Sequence, residues 1–255
     1  MTTEKVPLSV AVITKNEEKN LPRLLESVAF AAEIVVVDSG SADRTVEIAK
    51  QAGCRVFVED WKGDGPQKNS AIDKCSHEWV LVLDADERIP EDTGLEIKRI
   101  VADPSSADAY RFPRKNFFHG RWIRTCGWWP DRIIRLFRKH TGRYTAITHG
   151  RWETTGSLAD TALPIEHFSF TGYTHMLRVL EVRSRDMAQE LYDEGRRATV
   201  LSPFLHGIAM FFKVYIQKRG FIEGFDGFVI ALTRAGGTFF KYAILLEIQR
   251  AKEGS

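Results

Sequence analysis

Trp79-Val80-Leu81-Val82-Leu83-Asp84-Ala85-Asp86-Glu87 is an apolar run that ends in two aspartates spaced i and i+2. The run reads as a buried strand, and in extended backbone side chains two apart point the same way. Two carboxylates aimed together repel each other, and folding alone gives no reason to place them there. A divalent cation removes the conflict: Mg²⁺ or Mn²⁺ takes oxygen ligands and bridges carboxylates to phosphates. Such a site sits at the carboxyl ends of the strands, where open α/β sheets bind ligands. The alternative is a solvated acidic turn, with Pro90 opening the next helix.

Working outward, the first half alternates strand and helix signals. Strands are predicted at 8–13, 34–37, 55–58 and 80–83. Helices are predicted at 17–30, 42–52, 66–75 and 91–102. This order implies a mainly parallel sheet with right-handed crossovers. No Gly-x-Gly-x-x-Gly follows the first strand, which disfavours the dinucleotide fold carrying that fingerprint.

The bulk properties set limits. The chain has 255 residues, 44% hydrophobic and 27% charged, and a net charge of +2. That charge is too small to argue for nucleic acid, and no basic stripe dominates. Cys54, Cys75 and Cys126 are far apart and form no CxxC pair, so neither a disulfide framework nor a zinc site is expected. A reducing cytoplasm fits. Residues 1–7 lack the apolar core of a signal peptide, and no uninterrupted apolar stretch reaches bilayer length.

From residue 107 the texture changes. Phe117, Phe118, Trp122, Trp128 and Trp129 are interleaved with Arg114, Lys115, Arg121 and Arg124. This composition suits sugar stacking or phosphate binding, or else a packed hairpin. Residues 174–195 read as a polar helix. Beyond Pro203, Phe204, Phe211, Phe212, Tyr215, Phe221, Phe225 and Phe228 alternate with Lys213, Lys218 and Arg219. An in-plane interfacial helix pair has this pattern, with cations for anionic headgroups and aromatics for the acyl boundary. A hairpin packed on the main domain, or on a second copy in a homodimer, has the same amphipathicity.

Further polar residues fall at the same rim. The first strand ends at Thr14-Lys15-Asn16-Glu17 and the second at Asp38, while Lys68 and Asn69 open a helix after Gly63 and Gly65. Carboxylate and amide groups there suit a base or ribose edge, and a lysine at a helix start suits an anion. Jointly they describe a nucleotide-diphosphate pocket with a bound metal.

Three pieces carry a resemblance: Val10-Ala11-Val12-Ile13-Thr14-Lys15-Asn16-Glu17, Ile34-Val35-Val36-Val37-Asp38-Ser39-Gly40-Ser41-Ala42-Asp43-Arg44-Thr45, and Asp84-Ala85-Asp86. They resemble the inverting glycosyltransferases of family 2, with the Rossmann-like GT-A fold. Gly127-Trp128-Trp129-Pro130-Asp131-Arg132, Arg135-Leu136-Phe137-Arg138 and Lys241-Tyr242 resemble the branch of β-1,4-glucosyltransferases that builds lipopolysaccharide core. The resemblance implies a GT-A catalytic domain over 1–172 and a helical, membrane-associating extension over 173–255. The protein would be cytoplasmic, held peripherally to the inner face of the cytoplasmic membrane through 203–246. The implied donor is a UDP-sugar and the implied acceptor a lipid-linked saccharide. Glu17 and Asp38 would contact the nucleoside. Thr14, Lys15, Asn16, Lys68, Asn69 and Arg135 would line the donor site. Asp84 would lie near the ribose or metal, Asp86 would bind Mg²⁺ or Mn²⁺, and His167 would complete the metal's ligands.

The general base implied first is Asp131, after the glycine-aromatic loop. Relatives often carry a His-Glu pair further on. Here the match reads His149-Gly150, and Glu153 is the substitute. Transfer to a polyprenyl phosphate and a non-catalytic sugar-nucleotide or membrane-docking module are the alternative functions.

Overall fold

The computed structural model describes residues 5–145 and 150–253. It forms two compact units, one from 1–115 with 131–168 and one from 116–130 with 169–255. The division differs from a single cut at residue 172, because 116–130 belongs to the second unit.

In the first unit, β1 (Val6–Thr14), α1 (Leu21–Ser27), β2 (Ala31–Asp38), α2 (Thr45–Gln51), β3 (Arg55–Val58), α3 (Asp64–Asp73) and β4 (Trp79–Asp84) follow one another. Then come β5 (Glu87–Arg88), α4 (Glu91–Ala102) and β6 (Ala109–Phe118), which runs on into the second unit and pairs there with β7 (Arg121–Trp122). The chain continues through β8 (Asp131–Arg138), β9 (Gly142–Thr145), β10 (Arg151–Thr154), β11 (Leu158–Asp160) and β12 (Ile165–Phe170). The sheet order is β3-β2-β1-β4-β8-β6-β12-β5, with β9 and β10 forming a separate antiparallel pair. The first four strands are parallel as expected, but β8 joins β4 antiparallel and β6 joins β8 antiparallel. The sheet is therefore mixed: among the described residues no α-helix separates the strands from β6 to β12.

Alternation along the strands builds both faces. Leu8, Val10, Val12, Val36, Leu81 and Leu83 pack with Leu21, Leu24 and Ile97 of α1 and α4. Ala11, Val35, Val37, Val80 and Val82 turn the other way, against Ala71 and Ile72 of α3 and against Tyr144 and Trp152 of the hairpin. Strands apolar on both faces are what a covered parallel sheet requires. Trp152 stacks on Phe137 with ring centroids 3.5 Å apart. Burial pushes the Cys75 thiol up to about 12 and the Cys54 thiol up to about 11.

The helix expected over 17–30 is shorter. Asn16 adopts a left-handed φ of 57°, and the Glu17 and Glu18 N–H groups donate to Thr45 and Asp43 instead of opening a helix.

In the second unit the end of β6 and β7 form a hairpin pairing Phe117 with Trp122, the packed-hairpin alternative for this segment. Three helices follow: α5 (Tyr173–Asp193), α6 (Ser202–Phe212) and α7 (Gly224–Glu253). Glu223 lies buried before α7, accepting from the Arg124 and Thr125 N–H groups at 2.8 and 3.1 Å. Among the described residues one helical stretch, Gly220–Lys252, is long and apolar enough to cross a membrane by length and composition. The expectation that no stretch reaches that length counts only uninterrupted runs, and Arg234 and Lys241 fall inside this one.

Candidate active site

The carboxyl ends of β1 and β2 are stitched together by side chains. Asp38 is fully buried at the end of β2. Its Oδ1 accepts from the N–H groups of Gly40 and Ser41 at 3.0 and 2.8 Å. Its Oδ2 accepts from the hydroxyls of Thr14, at 2.9 Å, and Ser41. These four bonds tie Asp38 and Thr14 to the loop after β2. Asn16 does the same from the other side, its Oδ1 accepting from Ala42 N–H at 2.8 Å. Lys15 is exposed beside them.

Next to this loop runs a row of alternating charges. Lys68 Nζ lies 3.0 Å from Asp64 and 3.1 Å from Asp84 Oδ1. Arg135 Nη2 donates to Asp84 Oδ2 and, at 2.7 Å, to Glu87 Oε1. Arg114 reaches Glu87 Oε1 at 3.4 Å and donates through Nε to Asp131 Oδ2 at 3.0 Å. The last pair follows from register, because Arg114 on β6 stands opposite Asp131 on β8. Burial works against the charge on Asp84, yet Arg135 and Lys68 outweigh it and hold the carboxyl far below its usual range. Burial likewise opposes the Lys68 and Arg135 charges, and their carboxylate neighbours raise both above their ordinary values.

The expectation for Asp84 as a metal ligand therefore meets a different arrangement, in which both of its oxygens face cations. Lys68 lies inside α3, which begins at Asp64, and acts through its side chain and not as a helix-start residue. Asn69 is spent structurally. Its Nδ2 donates to Tyr144 O at 2.8 Å and its Oδ1 accepts from Tyr144 N–H at 3.0 Å, which hangs β9 on α3.

Asp86 and His167 are brought together, with Nε2 3.4 Å from Oδ2. Glu17 faces the same space. Burial raises its carboxyl above the usual value, and Asp86 and Asp84 add like-charge repulsion. Among the described residues no group of three or more His, Cys, Asp and Glu side chains converges as a metal cage. A cation bridging to substrate phosphates needs only one or two carboxylates. The donor set Asp86 with His167 fits that kind of site.

Glu153 on β10 accepts from Thr145 Oγ1 at 3.0 Å at the exposed edge of the hairpin. His149 lies outside the described residues. Sequence reasoning gave no role to Glu87, the buried centre of the charge row, or to the pairing of Arg114 with Asp131. The signal for Glu87 was its place one residue after Asp86; its partners are set by long-range strand register.

The sequence model of Glycosyl transferase family 2 matches residues 9–157. An uncharacterized glycosyltransferase of Rickettsia typhi is 29% identical, over 94% of this chain and 87% of its own. The lipopolysaccharide core biosynthesis glycosyltransferase LpsC of Rhizobium meliloti is 27% identical, over 94% of each. Among solved structures, S. aureus TarS 1–349 aligns over 97% of this chain and 92% of its own, with 17% identity and a TM-score of 0.47. With the family model matched over more than half of this chain, the protein is a glycosyltransferase and belongs to glycosyl transferase family 2.

Proposed function

We propose that the protein moves a sugar from a UDP-sugar to a lipid-linked saccharide such as lipopolysaccharide core, inverting the anomeric centre in one displacement. The observation that carries this reading is the charge balance of the strand-end site. Among the described residues Glu17, Asp64, Asp84, Asp86, Glu87 and Asp131 are six carboxylates, set against Lys68, Arg114, Arg135 and, beside Asp86, Arg88. A diphosphate would be repelled from this excess unless a divalent cation came with it. A metal held by Asp86 and His167 would neutralise charge on the departing diphosphate. Lys68 and Arg135, both held on Asp84, add fixed positive charge to the same site. Asp131 accepts the proton of the attacking hydroxyl, and Arg114 holds that carboxylate in one orientation. Such base assistance is worth on the order of 10²–10⁴-fold. Family membership sets aside a purely non-catalytic module. Transfer to a polyprenyl phosphate would use the same site and differs only in acceptor.

The similarity to LpsC over nearly the whole chain supports a lipopolysaccharide-core acceptor. The second unit supports contact with the bilayer. Phe204, Leu205, Ile208, Phe212, Phe221, Ile222 and Phe225 are all exposed, Phe225 to 70%. Residues 195–222 contain Arg196, Arg197, Lys213, Lys218 and Arg219 and no acid. An apolar face of this extent beside uncompensated cations suits an anionic lipid surface.

The deciding experiment is a thermal-shift screen of nucleotide-sugars with and without Mn²⁺, followed by product analysis on lipopolysaccharide core. A metal-dependent rise with one UDP-sugar above that with UDP supports the proposal. A rise with GDP- or ADP-sugars alone overturns the donor. Product on polyprenyl phosphate and none on the core overturns the acceptor.

A further inference from the structure

We infer that Glu87 is a positioning residue that joins the donor side of the site to its base. The inference rests on the reading of Asp131 as general base. Glu87 has no exposed surface. Its Oε2 accepts from the Asp84 N–H at 3.1 Å, so the strand end itself fixes where the carboxylate lies. Its Oε1 faces two guanidinium groups, Arg135 at 2.7 Å and Arg114 at 3.4 Å. Each arginine also holds a second carboxylate: Arg135 reaches Asp84 through the same Nη2 that meets Glu87, and Arg114 reaches Asp131 through Nε and Nη2. One buried carboxylate therefore sets the spacing of both arginines, and through them the spacing of Asp84 from Asp131.

The chemistry favours this over simple structural filling. A buried ion pair stabilises little over apolar packing, whereas removing one partner leaves a buried charge uncompensated. Glu87 has two such partners on strands distant in sequence, and the pairs beyond them are the groups the reaction needs. Stability alone would be served by apolar residues in place of the whole Glu87–Arg135–Arg114 cluster. The arginine spacing would not. In catalysis a displacement of about 1 Å costs on the order of 10²-fold, so a group that fixes spacing reads out in rate more than in substrate binding.

Two measurements test this. The first needs no turnover. In ¹⁵N-arginine-labelled protein, the Nε–H signals of Arg114 and Arg135 are assigned by Arg→Lys variants. Asp131→Asn is expected to shift the Arg135 signal, although Asp131 touches only Arg114 of the two. The same change in a Glu87→Gln background is expected to leave Arg135 unmoved. An Arg135 signal that ignores Asp131→Asn in the otherwise native protein overturns the inference.

The second measurement is kinetic, with the UDP-sugar that the native enzyme turns over. Glu87→Gln is expected to lower kcat by about tenfold or more while donor KM stays within about threefold. Glu87→Asp, which keeps the charge, is expected to recover part of the loss. A Glu87→Gln enzyme with native kcat overturns the inference. If Glu87→Gln does not fold, Glu87→Asp and the Asp131→Asn spectra decide it. If Asp131→Asn keeps full turnover, the base reading fails, and the Arg135 shift still reports whether Glu87 links the two ends.

Discussion

His167 Nε2 stands 3.4 Å from Asp86 Oδ2, and the backbone leaves the two little choice. His167 pairs with Glu87 between β12 and β5, and Phe168 N–H donates to Asp86 O at 2.9 Å. A carboxylate and an imidazole placed by strand register are preorganised to share a cation.

Asp86→Ala is expected to abolish turnover even at saturating Mn²⁺. His167→Ala is expected to raise the Mn²⁺ requirement by about tenfold or more. Titration of activity against Mn²⁺, with calorimetry of UDP binding, checks both. Near-native activity in Asp86→Ala would sink the metal assignment.

Acid stability is expected to depend on Glu33. Burial works against its charge, but the Ser76 N–H and hydroxyl, the Ser9 hydroxyl and Arg55 more than offset this and hold its carboxyl at about 2. A carboxyl depressed by folding stabilises above its unfolded value, and the effect is lost as pH falls through the folded value. Glu33→Gln should therefore cost up to about 3 kcal/mol near neutrality, a gap that narrows from about pH 4.5 down to pH 2. Urea melts across that range measure it. A gap independent of pH contradicts the assignment.

Phe212→Ser combined with Phe225→Ser is expected to release the protein from anionic vesicles in a flotation assay. Binding by the native protein should weaken with salt, because Lys213, Lys218 and Arg219 flank the apolar face. If the variant still floats and instead changes from dimer to monomer by sedimentation, the face is an interface between copies.

Gly227→Ala is expected to destabilise the start of α7. An added Cβ would lie 1.8 Å from Gly220 O, a backbone atom with nowhere to go. A loss of about 2 kcal/mol or more, read as a lowered Tm, matches the usual cost of overpacking. An unchanged Tm would show that the turn can open.

Much of the frame was legible because it is periodic. The four parallel strands, the helices between them and the aspartates after Leu83 follow from local pattern, and the placing of His167 near Asp86 followed from family resemblance. What escaped is non-local. Asp38 and Asn69 read as ligand-binding groups by position, and their bonds to loop and hairpin backbone groups do not show in the local pattern. Glu87 and Arg114 looked like ordinary charges until β8 came back antiparallel and put Asp131 opposite Arg114. No run of residues encodes such a return.

The three cysteines have a practical side. Cys54, Cys75 and Cys126 are free thiols, and burial raises all three, so none is poised as a thiolate near neutrality. The native chain is thus a quiet background for maleimide chemistry. A single cysteine introduced at Phe225, on the exposed start of α7, would carry an environment-sensitive fluorophore with little competing label. Its emission would show in real time when that turn leaves water.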